Sequence, residues 1–275
     1  MALLLPPLMI WMLLNPTLTM DAASAACRLF VTSVMPGLFP YMVLALILVS
    51  RLSASLPPAG LAVLGWCGGS PTGARLMGLC PGGSRKGQVR LAVTTATMSP
   101  MFLLGTVGGW LGSSLAGSVV LGSVILGGAL AGALAGRLTR EETLDAEEKE
   151  PPPPLTFGQA VEAAAKTMLL VCGTMVMLRV AAALVSVHLS RYSLPLTTLL
   201  EVTTGAVEIT ELPLPLVLRT AVIAGATGFG GTASVMQNRA LYPPGLLSLP
   251  EQLLWQAVHG GFSFLLALGA MLLTA

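Results

Sequence analysis

The sequence predicts an all-α polytopic membrane protein built from two internal repeats that contain broken or re-entrant helices. Three observations predict it. First, of 275 residues 54% are hydrophobic and only 9% charged, with a mean hydropathy of +0.83, where a soluble domain carries roughly a quarter charged residues. Second, several apolar runs approach the ~20 residues a helix needs to cross ~30 Å of hydrocarbon. Third, two of these runs are interrupted by Gly-Gly breaks at matching places in the two halves. The 31 glycines and 20 prolines lack a collagen period. Aromatics at 5% are too few for the girdles of an outer-membrane barrel. A net charge of +2 implies no nucleic-acid partner.

The apolar segment Ala2 to Leu14 ends at Asn15-Pro16, and Ala22 to Val34 reads as helix. Pro36-Gly37 and Pro40 are expected to interrupt the run that continues to Val49, and Arg51 closes it. The Ala22-Ala23-Ser24-Ala25-Ala26 stretch is a weak cleavage site without a basic region before it, which disfavours a signal peptide. Leu61 to Cys67 is too short to span and meets Gly68-Gly69-Ser70-Pro71-Thr72-Gly73. The short helix Ala74 to Leu79 and the turn Pro81-Gly82-Gly83 follow. This is the pattern of a hairpin that enters the membrane and turns back, tolerable where it packs in protein or lines a wet cavity. Leu91 to Gly136 holds no charge and is long enough for two spans with a turn near Gly112-Ser113-Ser114. Gly128, Gly132 and Gly136 repeat every four residues, the spacing that lets helix backbones approach closely.

Six of the twelve acidic residues fall between Glu141 and Glu150, ahead of Pro151 to Pro154. Such a stretch cannot enter a bilayer or continue a helix, so residues 139–156 read as a linker between a first repeat, 1–138, and a second, 157–275. After it, Ala160 to Val187 spans, with Glu162 and Lys166 near its start and Arg179 inside. Pro195 to Leu212 is less apolar and carries Glu201, Glu208 and Glu211. Leu214 to Thr227 runs into Gly228-Phe229-Gly230-Gly231-Thr232. A short helix to Leu241, the turn Pro243-Pro244-Gly245 and a last span, Leu253 to Leu273, complete seven or eight spans and half-spans.

An offset of 162 residues sets Gly68-Gly69-Ser70 on Gly230-Gly231-Thr232, and Leu79, Pro81 and Gly83 on Leu241, Pro243 and Gly245. Phe102-Leu103-Leu104 then meets Phe264-Leu265-Leu266, giving nine identities over residues 68–107. In a chain rich in Leu and Gly the shared order of break, turn and apolar helix carries more weight than that number. Paired interruptions point to a transporter binding site. A helix that starts in mid-membrane presents free N–H groups and a partial positive charge, suited to an anionic or polar ligand. Ser70 and Thr232 can act there as N-caps, as ligands, or as both.

At these residues the chain resembles the sporulation integral membrane protein family of the YlbJ (SpoVV) type, in the nucleoside-recognition or Gate domain group. The features are Val34-Met35-Pro36-Gly37-Leu38-Phe39-Pro40-Tyr41, Gly69-Ser70-Pro71-Thr72-Gly73-Ala74, and Ser99-Pro100-Met101-Phe102 with Gly105 and Gly108. Glu201-Val202-Thr203-Thr204-Gly205 and Gly230-Gly231-Thr232-Ala233-Ser234-Val235-Met236-Gln237 follow in the family's order. Ser70 stands where the family has an aromatic residue and Thr204 where it has Asn. The resemblance implies two gate-like repeats and a permease in a bacterial cell membrane, in sporulating cells the mother-cell or outer forespore membrane, associated with dipicolinic acid.

The expected solute is therefore small, polar and anionic, dipicolinate among the choices. The alternatives are a nucleoside or other small-solute permease, or a non-transporting scaffold or sensor subunit. The residues expected to contact the solute are Gly69, Ser70, Thr72, Arg75, Ser99, Glu201, Thr203, Thr204, Gly231, Thr232, Ser234 and Gln237. Arg75 reads either as an anion partner, since its fork matches a carboxylate, or as a residue snorkelling to headgroups. Glu201 is placed at a cavity because an ionisable group at membrane depth is costly, and it doubles as a proton site; Glu211 reads as solvated. H+ or Na+ as coupling ion, the lipid bilayer and a homo-oligomer complete the expected partners. Arg85, Lys86 and Arg90 mark a cytoplasmic face, with Arg137 and Arg140 as a second vote. Cys27, Cys67, Cys80 and Cys172 have no Cys-x-x-Cys or zinc spacing and read as buried small residues; no metal, cofactor or enzymatic constellation is expected, and His259 reads as a packing residue.

Overall fold

The computed structural model describes residues 5–52, 56–79, 84–141 and 153–274. Every regular element in them longer than a single bridge is helical. The turn at 81–83, Cys80 and most of the acidic linker lie outside the described residues.

Helix α1 (Leu5–Leu14) breaks at Asn15, whose side-chain amide donates to the Trp11 carbonyl at 3.0 Å, and α2 (Pro16–Leu29) restarts with Pro at its first position. The expected interruption at Pro36, Gly37 and Pro40 is absent. The chain runs on through a π-helical stretch, Phe30–Val34, into α3 (Met35–Leu52), giving one apolar helix of 37 residues. A π turn widens the ladder one turn before Pro36, so the prolines enter a helix whose bonding is already shifted.

Helices α4 (Pro58–Gly68) and α5 (Ser70–Leu79) fold back on each other at Gly69, φ +76°. The proof of contact is local: a Cβ on Gly65 would lie 3.3 Å from the Gly73 Cα, and Thr95 of α6 (Arg85–Thr95) presses on both glycines. The chain unwinds over residues 96–99, restarts at Pro100, is π-helical over Phe102–Val107 and ends in α7 (Gly108–Trp110). The turn then falls where the sequence places it, at Gly112 (φ +65°) and the N-cap Ser113, and α8 (Ser114–Leu138) follows.

Helix α9 (Phe157–His188) opens with a capping box of Thr156 and Gln159, worth about 1 kcal/mol. A 3-10 turn leads to α10 (Ser193–Leu200) and α11 (Val202–Thr210), which also fold back on each other: a Cβ on Gly205 would lie 2.6 Å from the Thr198 Cα. Next, α12 (Leu216–Phe229) and α13 (Gly231–Leu241) follow end to end through Gly230 and Gly231, both at positive φ, as one 26-residue apolar segment. Helix α14 (Leu249–Thr274) closes the described chain.

Side-chain contacts orient the bundle. Trp11 lies against His188, ring centroids 5.5 Å apart, at one end. At the other end Leu155 N–H donates to Ser50 Oγ at 3.0 Å, Arg85 pairs with Glu251 at 3.8 Å, and Gly136 packs on Arg90. The α4–α5 hairpin therefore enters from the Arg85 end and the α10–α11 hairpin from the His188 end. The glycine stripe of α8 is used as its spacing predicts. A Cβ on Gly132 would overlap the Thr94 hydroxyl, and one on Gly128 would lie 3.1 Å from the Thr94 carbonyl.

The 162-residue offset does not survive in the architecture. It equates the α4–α5 hairpin with α12–α13, which do not fold back. The bundle instead gives α4–α5 and α10–α11 the same form, and Thr72-Gly73-Ala74 recurs as Thr204-Gly205-Ala206, 132 residues on. Gly-Gly pairs misled because glycine serves two ends here, a hairpin tip at Gly69 and an unwound joint at Gly230–Gly231.

Among the described residues five helical segments are long and apolar enough to cross a bilayer: Pro16–Leu52, Ser114–Leu138, Phe157–His188, Leu216–Leu241 and Leu249–Thr274. Leu13, Leu44, Leu126, Leu169, Leu265 and Leu273 face outward, as a lipid-immersed surface requires. Cys27 and Cys67 share that outer surface, against the expectation that they are buried, while Cys172 is half-buried.

Candidate functional site

Four helices begin around one internal cavity of about 40 Å³. Ser70 and Pro71 open α5; Ser99 precedes the helix restarting at Pro100; Glu201, Val202 and Thr203 open α11; Gly230, Ala233 and Ser234 open α13. The long helices supply apolar walls through Val34, Leu38, Val171 and Met175. Two of the helix starts carry their own caps. Ser99 Oγ accepts from Phe102 N at 3.2 Å, with Pro100 in the first helical position. Glu201, 1% exposed, accepts from Thr203 N at 2.8 Å on one oxygen, and from Thr204 N at 2.7 Å and Thr204 Oγ1 at 2.6 Å on the other. A buried carboxylate here is thus held by three donors from its own helix.

The hairpin tip of α4–α5 is tied to α13. Ser70 Oγ donates to Asn238 Oδ1 at 2.8 Å, which leaves Ser234 as the donor in the 3.0 Å contact between the two serine hydroxyls. Gln237 Nε2 donates to Thr174 Oγ1 of α9 at 2.7 Å. Close backbone approach completes the assembly: a Cβ on Gly69 would lie 2.9 Å from Ser99 N, and one on Gly231 3.0 Å from Val202 N. Each glycine lets one interrupted segment touch the next.

Of the expected solute contacts, Ser70, Ser99, Glu201, Thr203, Ser234 and Gln237 line the cavity. Gly69, Gly231 and Thr204 form its frame through the contacts just given. Three do not reach it. Thr72 donates back to the Gly68 carbonyl at 2.9 Å, and Thr232 donates to the Leu199 carbonyl at 2.9 Å. Arg75 is half-buried on α5 and absent from the cavity wall. At about 100° per residue, Thr72 and Arg75 are turned well away from Ser70 on α5. Asn238 was missed; it lies one turn beyond Ser234 on the same face, an unbroken helical period that the sequence displays.

Glu208 is away from the cavity, paired with Arg179 at 3.4 Å, and Arg179 also donates to Thr197 Oγ1 at 3.1 Å. This clamp holds both arms of the α10–α11 hairpin to α9. His259 is buried, its Nε2 2.8 Å from the Val124 carbonyl of α8. A larger side groove of about 680 Å³ between α4, α6 and α8 carries Arg90 and is bordered by the starts of α4 and α6 at Pro58 and Ser84.

Family models, curated proteins and solved structures were all compared with the chain, and none matches. What fold and site define is a multi-pass helical membrane protein with a small, mainly apolar cavity, bordered by a few buried polar side chains, among interrupted helices.

Proposed function

We propose that the protein is a membrane permease for a small polar, anionic solute, bound where the four helix starts meet. The convergence of those starts on one cavity is the observation that carries this reading. A helix N-terminus acts as about +0.5 of a charge. Four of them outweigh the single Glu201 carboxylate by about one unit, so the cavity favours negative charge without Arg75. Ser70, Ser99, Thr203, Ser234 and Gln237 then supply hydrogen bonds, and Glu201 is the proton-accepting group for coupling to H+.

In this reading the two halves are gate-like repeats of opposite orientation. Each has a long helix, a re-entrant hairpin, an interrupted span and a second long helix, and three crossings per half reverse the second half. The cavity of about 40 Å³ holds about three water molecules. A benzene-sized ring needs on the order of 150 Å³, so the conformation described is closed and a dipicolinate-sized solute requires widening.

Uptake of labelled dipicolinate and of nucleosides into proteoliposomes, under imposed H+ or Na+ gradients, tests the proposal. The expected result is dipicolinate accumulation that Ser70→Ala and Ser234→Ala reduce at least tenfold. Nucleoside uptake in its place would reassign the solute. No accumulation under any gradient, by protein that remains folded, would remove the transport reading in favour of a scaffold or sensor subunit.

A further inference from the structure

Helix α14 carries Gln252, Gln256 and His259 on one face, within about 10 Å of helix length, and all three are at most 3% exposed. They border a second, smaller cavity of about 10 Å³ closed by Ala92 and Val93 of α6, by Ala96 just past its end, and by Tyr242, Leu247 and Trp255. Both amide ends of Gln252 and of Gln256 lack a hydrogen-bond partner among the described residues. Buried side-chain amides in that condition are rare in folded proteins and costly. One water molecule fills about 10 Å³ and offers at most four hydrogen bonds. It cannot serve the two amides and the imidazole fully, so this face is built for more solvent than the closed conformation admits.

The face has an inner and an outer end. At the inner end Gln256 Oε1 would be 3.0 Å from a Cβ on Gly230, and Gly230 itself lines the central cavity. Gly230 is thus in reach of both compartments, with Ser234 beside it. At the outer end the neighbour of Gln252 is Glu251, which pairs with Arg85 at the basic end of the bundle. Tyr242 stands between, its hydroxyl donating to the Ala92 carbonyl at 3.2 Å.

We propose that the seam between α6, α13 and α14 is the water-accessible path joining the Arg85 face to the central cavity, with Gln252 and Gln256 as its polar wall. Tyr242, Leu247 and Trp255 close it in the conformation described. Only the identity of what travels along it rests on the transport reading. The path is compatible with the anionic solute of that reading, since its wall offers amide donors and no carboxylate.

Thiol accessibility tests the path independently of uptake. In the full-length chain with Cys27, Cys67, Cys80 and Cys172 replaced by Ala, single Gln252→Cys and Gln256→Cys variants are treated in vesicles of both orientations with a membrane-impermeant thiosulfonate. Glu251→Cys marks the basic face, and outward-facing Ala257→Cys and buried Ala267→Cys serve as controls. Gln252→Cys and Gln256→Cys should react only in the orientation in which Glu251→Cys reacts, and the two controls should stay unlabelled. Adding Tyr242→Ala should raise the Gln256→Cys rate at least tenfold. Folded Gln256→Cys protein that stays unlabelled with and without Tyr242→Ala overturns the path, as does labelling from the opposite face. Labelling as expected in a protein that accumulates no solute would leave the path standing and remove the transport reading alone.

Discussion

Replacing Glu201 by Gln is the sharpest probe of how the second hairpin is held. One carboxylate oxygen accepts from Thr203 N, the other from Thr204 N and Thr204 Oγ1. A glutamine has one acceptor oxygen. Placed toward Thr204 it keeps two bonds, and its NH2 then faces the Thr203 N–H at the former 2.8 Å, donor against donor. The loss is one charge-assisted bond and one stranded N–H, about 2–3 kcal/mol. At about 2–4 °C per kcal/mol for a chain near this size, the melting temperature in detergent should fall by about 4–12 °C. Glu201→Asp should stay within about 1 kcal/mol of wild type, because Asp is among the best N-caps. Melts followed by intrinsic fluorescence at fixed detergent and protein concentration read both variants. A Gln variant that melts with wild type, or an Asp variant that loses as much as Gln, would refute the view that the carboxylate holds α11.

Three further outcomes follow from the packing. Gly132→Ala should cost about 1–3 kcal/mol by pushing α6 off α8, whereas Gly122→Ala on the same helix meets nothing within 4 Å and should be neutral or stabilising by about 1 kcal/mol; paired thermal melts decide. Gly231→Ala combines φ +73° with a Cβ 3.0 Å from Val202 N, and should lower stability by at least about 1–2 kcal/mol while increasing proteolysis between α12 and α13. The Arg179→Leu, Glu208→Leu double variant should cost less than the sum of the two single variants, with a coupling near 1 kcal/mol for this half-buried pair; a coupling of zero would make the clamp incidental.

Legibility in the sequence followed the kind of interaction involved. The spans, the Gly112–Ser113 turn and the glycine stripe of α8 depend on hydropathy, backbone freedom and four-residue spacing, and these are local properties. The hairpin at Glu201 was hidden because its break is made by a carboxylate that caps, with no Gly or Pro at the tip. Pro36 and Pro40 looked like breaks because tolerance of proline depends on the π turn before them. Around the cavity, small residues next to each break line the wall, whereas Thr72, Arg75 and Thr232 turn away from it, because facing depends on helix rotation. The 162-residue register rested on Gly-Gly pairs that do different jobs in the two halves, and the Thr-Gly-Ala triplets of the two hairpins are too short to stand out in a chain rich in all three types.

The four arms of the two hairpins are 8 to 11 residues long, about half of what crosses a bilayer. None can be inserted as an independent segment during synthesis. The long segments must be in place first, α9 offering Arg179 and α12–α13 offering Ser234 as docking points. In the proposed topology each hairpin then dips in from its own side of the membrane, one before and one after translocation. Biogenesis is therefore ordered, and a lesion in a long helix should strand both hairpins outside the lipid, where proteases at two different membrane faces would meet them.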